Sequence, residues 1–132
     1  MTLLHHDLTE QIIGVYYAVY AELGHGFLER ICQRAMVIAL RDAGLSVVER
    51  APFPVTFRGQ LLGDFFADIV VNGLVLLEIK ATTALSRWDE AQTLNYLRAS
   101  RLEVALILNF GPKREHWRRI LTNDRKIPNL AV

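Results

Sequence analysis

The sequence predicts an α/β fold in which a mixed β-sheet packs against helices. Two observations lead to this class. Helical periodicity dominates the first third of the chain, whereas the rest divides into apolar runs separated by turn residues. A helical segment near residues 86–100 then lies between two apolar runs. A crossover helix of this kind connects parallel strands, so we expect parallel pairing within the sheet.

Two helices are predicted at the start of the chain. Asp7 and Glu10 have the spacing of a capping box that opens the first helix, and apolar side chains then recur at helical spacing. Gly24 and Gly26 then end this helix. The second helix is predicted over residues 27–43, with Gly44 as its C-terminal cap.

Three strands are predicted next. Residues 45–57 have an extended pattern, and their two prolines favour an edge strand or a bend. A turn at residues 58–60 leads to strands over residues 62–71 and 74–81. The Asn-Gly dipeptide between these two strands is a strong hairpin signal.

The last part of the chain predicts a helix and two strands. Ser86 and Asp89 have the spacing of a capping box, and the helix runs to about Ser100. Residues 103–110 are mostly apolar and predict a buried strand, and residues 117–121 predict a short final one. The predicted order is α, α, β, β, β, α, β, β, in a single domain over residues 1–132.

The composition excludes several classes of protein. Hydrophobic residues make up 52% and charged residues 22% of the 132 residues, which is typical of a globular domain and not of a disordered chain. With 15 basic and 14 acidic residues, an anionic partner would have to be attracted by a local patch. The single cysteine, Cys32, excludes an internal disulfide. The sequence has neither a signal-peptide pattern nor about 20 consecutive apolar residues, so we expect a cytoplasmic protein without a membrane partner.

Three charged residues interrupt the most apolar segment, residues 66–81. They are Asp68, Glu78 and Lys80, and an unpartnered charge in such a segment is costly. Glu78 and Lys80 share one face of their strand because strand side chains alternate. Two close carboxylates repel each other, and a divalent cation such as Mg²⁺ relieves that repulsion. A neighbouring lysine would orient a water or neutralise charge on a phosphate.

The hairpin register decides whether the two acids can meet. A strict two-residue Asn-Gly turn would place Asp68 and Glu78 on opposite sides of the sheet. A three-residue loop over residues 71–73, with Gly73 at positive φ, would place them on one face, and we predict this loop. In the alternative interpretation Glu78 and Lys80 form an ion pair near a strand end and Asp68 caps a turn. Spacing alone leaves the two interpretations equally weighted.

The charged residues also form a motif that resembles a known superfamily. Asp68 followed by Glu78-Ile79-Lys80 reproduces the D…ExK core of the PD-(D/E)XK nucleases. Residues 26–29, Gly-Phe-Leu-Glu, begin the GxxExxY signature of a small bacterial and archaeal family that resembles a branch of this superfamily.

Two later segments extend the resemblance over nearly the whole chain. Residues 91–97, which contain Gln92 and Tyr96, are similar to the segment that follows ExK in this family, and residues 106–111 are similar to its closing strand and turn. The resemblance runs from about residue 8 to residue 121. It implies a restriction-endonuclease-like core, with a mixed central sheet flanked by helices and an N-terminal helix pair.

The activity that this resemblance implies is metal-dependent hydrolysis of phosphodiester bonds in DNA or, as a second substrate, RNA. The implied cofactor is Mg²⁺ or Mn²⁺, held by Asp68 and Glu78 with the backbone carbonyl of Ile79 as a further ligand. Glu29 would reach the metal from the second helix, directly or through water.

The remaining catalytic roles also follow from the resemblance. Lys80 would be the catalytic lysine. Gln92 would lie beside it and hold a water, the lysine or a phosphate. Tyr96, one helical turn further on the same side, would contact nucleic acid.

Two positions depart from the family pattern. Cys32 replaces the tyrosine of the signature, and Phe66 replaces the arginine that commonly precedes Ala-Asp. These departures favour a second hypothesis, a catalytically weak or inactive module that binds nucleic acid or a protein partner. A third hypothesis is a purely structural cluster of acids and lysine in an interaction protein.

A basic segment near the C-terminus is a second candidate site. Four of its residues are candidates for nucleic-acid contact because basic side chains alternate there with an aromatic one: Lys113, Arg114, Trp117 and Arg118. The alternative, which we favour slightly, is a solvated strand edge whose charges prevent pairing with other chains. We expect DNA as the partner in preference to RNA. We also expect a homodimer, because so small a domain offers little surface to a duplex.

Overall fold

The fold of this protein begins with two helices. The structure is a computed structural model that describes residues 4–126. Helix α1 spans His6–Leu23 and helix α2 spans Glu29–Asp42. The capping box predicted at Asp7 and Glu10 is wrong, because α1 begins before Asp7 and its N-cap residue, His5, forms no side-chain capping bond. Asp7 therefore lies in the first turn, where its charge favours the helix dipole.

The end of α2 agrees with the sequence. Gly44 follows the C-cap residue Ala43 with a φ of 83°, a left-handed conformation that glycine adopts without strain. The backbone N–H of Leu45 donates to the carbonyl of Leu40 at 3.1 Å and closes the helix end. Gly24 and Gly26, both at positive φ, form the break between the two helices.

A five-stranded mixed sheet and a third helix complete the fold. The strands are β1 (Val47–Phe57), β2 (Gln60–Val71), β3 (Val75–Lys80), β4 (Val104–Phe110) and β5 (Arg114–Ile120). Helix α3 spans Arg87–Ala99, and a short 3₁₀ helix follows β5 over Asn123–Arg125. The sheet order is β1-β2-β3-β4-β5, with the predicted parallel pairing between β3 and β4 and antiparallel pairing elsewhere. The predicted α/β class and element order are confirmed.

Helices cover the sheet on both faces. The α1–α2 pair packs on the face that carries Ile69, Leu77 and Leu106, which form the larger apolar core. Helix α3 packs on the opposite face, against Val70 and Leu76. Every residue of β4 is buried, as expected for a central strand covered on both sides.

The capping box predicted for α3 is present. The Ser86 hydroxyl accepts from the backbone N–H of Asp89, and the Asp89 carboxylate accepts from the backbone N–H of Ser86 at 2.9 Å. These reciprocal bonds fix the first turn of α3.

The β2–β3 loop has the predicted three-residue length but lies one residue later. Val71 pairs with Val75, and the loop residues are therefore Asn72, Gly73 and Leu74 instead of residues 71–73. Asn72 and Gly73 both have positive φ, at 53° and 65°. The pairing changes because Asn72 accepts the left-handed conformation, which few side chains tolerate. Continued by one residue beyond the Ile69–Leu77 pair, this register sets position 68 directly opposite position 78.

The long β1–β2 hairpin changes its side-chain phase in the middle. Ala67 and Val70, an odd number of positions apart, both pack toward α3, so the alternation of β2 breaks between them. On β1, Arg50 has a φ of 53° and lies between the Glu49–Ile69 and Ala51–Ala67 pairs. The hairpin therefore twists at Arg50 and Asp68 and curves over the α3 face.

Candidate active site

The two predicted acids lie where strands β2 and β3 separate. Their backbone ladder ends at the Ile69–Leu77 pair. Beyond it, the Asp68 carboxylate accepts the backbone N–H of Ile79 at 2.7 Å and takes the place of a ladder carbonyl. The backbone N–H of Asp68 bonds in turn to the Glu78 carboxylate. Asp68 is therefore fixed against β3 beside Glu78.

Glu78 is deeply buried and incompletely bonded. Glu78 is only 4% exposed, and its Oε1 atom has no hydrogen-bond partner among the described residues. Burial, and after it the charge of Asp68, raises the pKa of Glu78 to about 8. Burial also raises the pKa of Asp68, and the charge of Glu29 adds to that effect. The charge of Lys80 opposes this rise in pKa at both acids without cancelling it, and a bound cation would oppose it further.

Lys80 approaches the pair from the end of β3. Its Nζ donates to Gln92 Oε1 at 3.1 Å and lies 3.9 Å from Asp89 Oδ1. Of the three partners considered for Gln92, the structure has the lysine. Asp89 was identified from the sequence only as a helix cap. The same capping box could have identified its second contact, because it places an acid one helical turn before Gln92 on the same side of α3.

Glu29 is the first residue of α2, and it is exposed. Its charge acts on both Asp68 and Glu78, so the helix start faces the acid pair. Residues 4–126 contain no group of three or more His, Cys, Asp or Glu side chains that could hold a metal. The contact of Glu29 with a metal, directly or through water, stays a prediction.

Tyr96 lies on the buried side of α3. Its ring stacks on Phe65 with centroids 4.3 Å apart and planes at 3°, and Phe65 in turn stacks on Phe53 at 5.2 Å. Burial raises the pKa of Tyr96, and so do the charges of Glu78 and Asp68, so the hydroxyl lies within their field. Because Phe65 covers one ring face, Tyr96 can offer a substrate only its hydroxyl, its edge or the other face.

The basic residues of β5 are divided between the two faces of the sheet. The Arg114 guanidinium lies 4.1 Å from the ring centroid of Tyr17, and Arg118 donates to the carbonyl of Leu4, both on the α1 side. Trp117 has the opposite parity and contacts Arg119, whose guanidinium lies 5.0 Å from the ring centroid.

These contacts leave Lys113, whose Nζ lies 3.5 Å from Glu115 Oε2. The structure therefore does not bring the four predicted side chains together on one surface. Their contact with nucleic acid stays a prediction.

The two departures from the family pattern have simple surroundings. Cys32 is fully buried in the core of the α1–α2 face, where burial raises the pKa of its thiol. Phe66 is half exposed, and the Arg50 guanidinium lies 5.1 Å from its ring centroid. Sequence reasoning missed Arg50, since no local pattern pairs it with Phe66. Cys32 is thus a core residue, whereas Phe66 contacts an arginine from the neighbouring strand.

A family model of the PD-(D/E)XK nuclease superfamily matches residues 6–120, most of the chain. The chain belongs to the PD-(D/E)XK nuclease superfamily. The match includes all five strands and the acid pair. No curated protein and no solved structure matches the chain.

Membership of the PD-(D/E)XK nuclease superfamily fits the geometry. Enzymes of this superfamily are nucleases that generally use divalent metals. The finer assignment to the GxxExxY branch stays a prediction. In residues 4–126, no helix has the length and apolar character needed to cross a membrane.

Proposed function

We propose that this protein is a metal-dependent nuclease that hydrolyses phosphodiester bonds in DNA, with RNA as the second candidate substrate. The observation that supports it most strongly is that the buried Glu78 Oε1, beside the carboxylate of Asp68, has no hydrogen-bond partner within residues 4–126. A buried polar atom without a partner costs free energy, so it persists where a ligand completes it.

The donors in this site fit Mg²⁺ or Mn²⁺. Mg²⁺ prefers one or two carboxylates, together with waters and substrate phosphates, and Asp68 and Glu78 supply two. The Ile79 carbonyl is a third donor. In a strand the N–H and C=O of one residue point to the same neighbour, and the Ile79 N–H already points to Asp68 beyond the end of the ladder. Glu29 would act on the metal directly or through water.

When bound, the metal would neutralise charge on the scissile phosphate and lower the pKa of the attacking water. The protein side chains have separate tasks. Lys80 would hold the attacking water or neutralise an oxygen of the phosphate. Gln92 accepts a hydrogen bond from the Lys80 ammonium and so fixes its position. The carboxylate of Asp89 also attracts the Lys80 ammonium and further restricts its position.

The two departures at Cys32 and Phe66 do not favour the non-catalytic alternative. Cys32 packs in the apolar core on the face away from α3, and Phe66 lies beside Arg50 on the surface. Neither removes a donor from the acid pair or from Lys80.

Cleavage assays test the proposal. Labelled linear, circular and branched DNA, and RNA, are incubated with the protein in Mg²⁺ or Mn²⁺. We expect Asp68→Ala and Lys80→Ala each to lower the cleavage rate by at least about a hundredfold, because each removes a group needed at the reacting phosphate.

The matched control is Glu22→Ala, which removes an exposed acid from α1 and should leave the rate unchanged. Cleavage that survives both active-site changes would place the activity elsewhere, in a contaminant or another site. A wild-type protein that cuts none of these substrates in either metal would contradict the nuclease proposal.

A further inference from the structure

Arg50 has an unusual backbone conformation next to the acid pair. Its φ of 53° is uncommon for any residue other than glycine and costs about 1–3 kcal/mol, so the surrounding structure must hold it. It lies across from Asp68 at the twist of the β1–β2 hairpin. Its charge lowers the pKa of Asp68, which places the guanidinium within the field of the site.

Phe66 holds the Arg50 side chain. The guanidinium carbon lies 5.1 Å from the centre of the Phe66 ring, within the range of a cation–π contact. Such a contact uses one face of the guanidinium plane. The N–H edges stay available, and they match the two oxygens of a phosphate in a bidentate arrangement.

Arg50 also lines a groove between α2 and β1. The groove has a volume of about 460 Å³, and its lining residues are Arg30, Ile31, Gln33, Arg34, Glu49 and Arg50. Three arginines face a single acid, Glu49, which already pairs with Arg34. The groove therefore favours an anion.

Gln33 connects this groove to the acid pair. Its Nε2 donates to the backbone carbonyl of Asp68 at 3.2 Å and to Glu49 Oε2 at 3.3 Å. The base of the groove is thus hydrogen-bonded to the residue that would hold the metal.

We propose that this groove binds an unpaired nucleic-acid strand next to the cleavage site, with Arg50 contacting a phosphate adjacent to the scissile one. The inference rests on the proposed nuclease function and narrows its substrate to single-stranded ends, flaps or gaps. A volume of about 460 Å³ is that of a small-ligand pocket, so the groove can enclose part of one strand but not the two paired strands of a duplex. Ile31, which is exposed at the groove, offers an apolar contact to an unpaired base.

Binding measurements without metal test this inference separately from cleavage. Fluorescence anisotropy is recorded for a labelled single-stranded oligonucleotide and for a blunt duplex of the same sequence, over a series of salt concentrations in chelator. We expect tighter binding of the single strand. Arg50→Gln should weaken that binding by about tenfold, the effect of losing one charge-assisted hydrogen-bond pair. It should also make the slope of log K against log salt shallower by about 0.7, the value for one phosphate contact on a single strand.

The matched control is Arg58→Gln. Arg58 is also an arginine at positive φ whose guanidinium covers a phenylalanine, Phe57, at 4.8 Å, but it lies in the distant β1–β2 turn. It should change neither the affinity nor the slope. Phe66→Leu, which keeps the charge of Arg50 but removes the ring, should give an intermediate loss of affinity with the slope retained. Circular dichroism of each variant confirms that it is folded.

Several outcomes would overturn the inference. They are an Arg50→Gln variant that binds like Arg58→Gln, a wild-type preference for the duplex, and an acidic peptide that competes for the groove as well as the oligonucleotide does, which would indicate a protein partner. Cleavage with Mg²⁺ is scored in parallel. Cleavage without any Arg50 dependence rejects the groove and keeps the nuclease, whereas Arg50-dependent binding without cleavage rejects the nuclease and keeps the groove.

Discussion

Two buried polar side chains on neighbouring strands have opposite hydrogen-bonding states. Asn109, on β4, is fully buried, and its amide is saturated. Its Nδ2 donates to the carbonyls of Thr82 and Lys113 at 3.0 Å each, and its Oδ1 accepts from the N–H groups of Thr82 and Gly111. Glu78, on β3, is nearly as buried but keeps one oxygen without a partner among the described residues.

The difference fits a structural role for Asn109 and the proposed metal-binding role for Glu78. Asn109 joins the loop after β3 to the loop after β4. Its hydrogen bonds therefore hold together the carboxyl ends of these two strands. Among the described residues, Glu78 Oε1 accepts no hydrogen bond. Desolvation of the Glu78 charge opposes folding. A chain keeps such a group where function requires it, since a saturated or apolar side chain would be more stable.

Substitution of the two residues should therefore have opposite consequences, and this is the largest effect we expect. Asn109→Ala leaves two backbone N–H groups and two carbonyls without their partner and should lower the free energy of unfolding by about 3 kcal/mol. Glu78→Gln removes a charge that is costly to bury and should preserve or raise stability without metal, while it lowers the cleavage rate by at least about a hundredfold. Urea unfolding and cleavage assays measure the two effects.

The comparison would break if Glu78→Gln lost stability as Asn109→Ala does. Glu78 would then be part of the structural network, and its free oxygen would have no significance for metal binding.

Gly111 sharpens the structural side of this comparison. A Cβ atom at this position would lie 1.8 Å from the carbonyl oxygen of Thr82, so the loop after β3 would have to move. We expect Gly111→Ala to lower the free energy of unfolding by about 2–3 kcal/mol, as measured by urea unfolding.

Gly14→Ala is the matched control for Gly111→Ala. Gly14 lies inside α1, and apart from its chain neighbours and the backbone of its own helix no described atom is within 4 Å of the added Cβ. The change should stabilise the helix by about 0.5–1 kcal/mol. Equal effects at the two glycines would mean that the Thr82 loop is free to adjust.

The pH dependence of stability sharpens the functional side of the comparison. The pKa of Glu78 rises from 4.5 in the unfolded chain to about 8 in the fold. The folded protein thus binds more protons than the unfolded chain between these values, and the free energy of unfolding falls as pH rises through this window. Asp68, whose pKa is also raised, acts in the same direction.

Thermal unfolding in chelator at pH 5.5 and pH 8 measures this slope. We expect a lower midpoint at the higher pH in the wild-type protein, most of which disappears in Glu78→Gln. Mg²⁺ should raise the midpoint more at pH 8 than at pH 5.5, because the metal binds the deprotonated carboxylates. A midpoint that rises with pH in chelator would contradict the burial of charge at Glu78.

Local patterns identified most elements because their causes are local. The Ser86–Asp89 capping box, the buried strand β4 and the crossover that makes β3 and β4 parallel were all predicted correctly. The capping box at Asp7 failed because spacing alone does not determine where a helix begins. The β2–β3 loop was predicted with the right length but one residue early, since Val71 joined the ladder and Leu74 did not.

The candidate site was only partly accessible to the same reasoning. The ExK spacing identified Asp68, Glu78 and Lys80, and resemblance supplied Glu29, Gln92 and Tyr96. The second contact of Asp89 was within reach of the capping-box pattern, whereas the role of Arg50 depends on the twist of the hairpin. No sequence spacing records that twist, because it arises between two strands and not along one. The basic residues of β5 and a homodimer stay predictions.

The sequence by itself determined the kinds of secondary structure, their order and the chemistry of the acidic and lysine side chains, because periodicity, capping and charge are properties of neighbouring residues. Only the tertiary structure decided which of these side chains would be satisfied. Asn109 makes two of its four hydrogen bonds to Thr82, 27 residues away, whereas among the described residues Glu78 Oε1 has no partner. Folding alone brings such distant segments together.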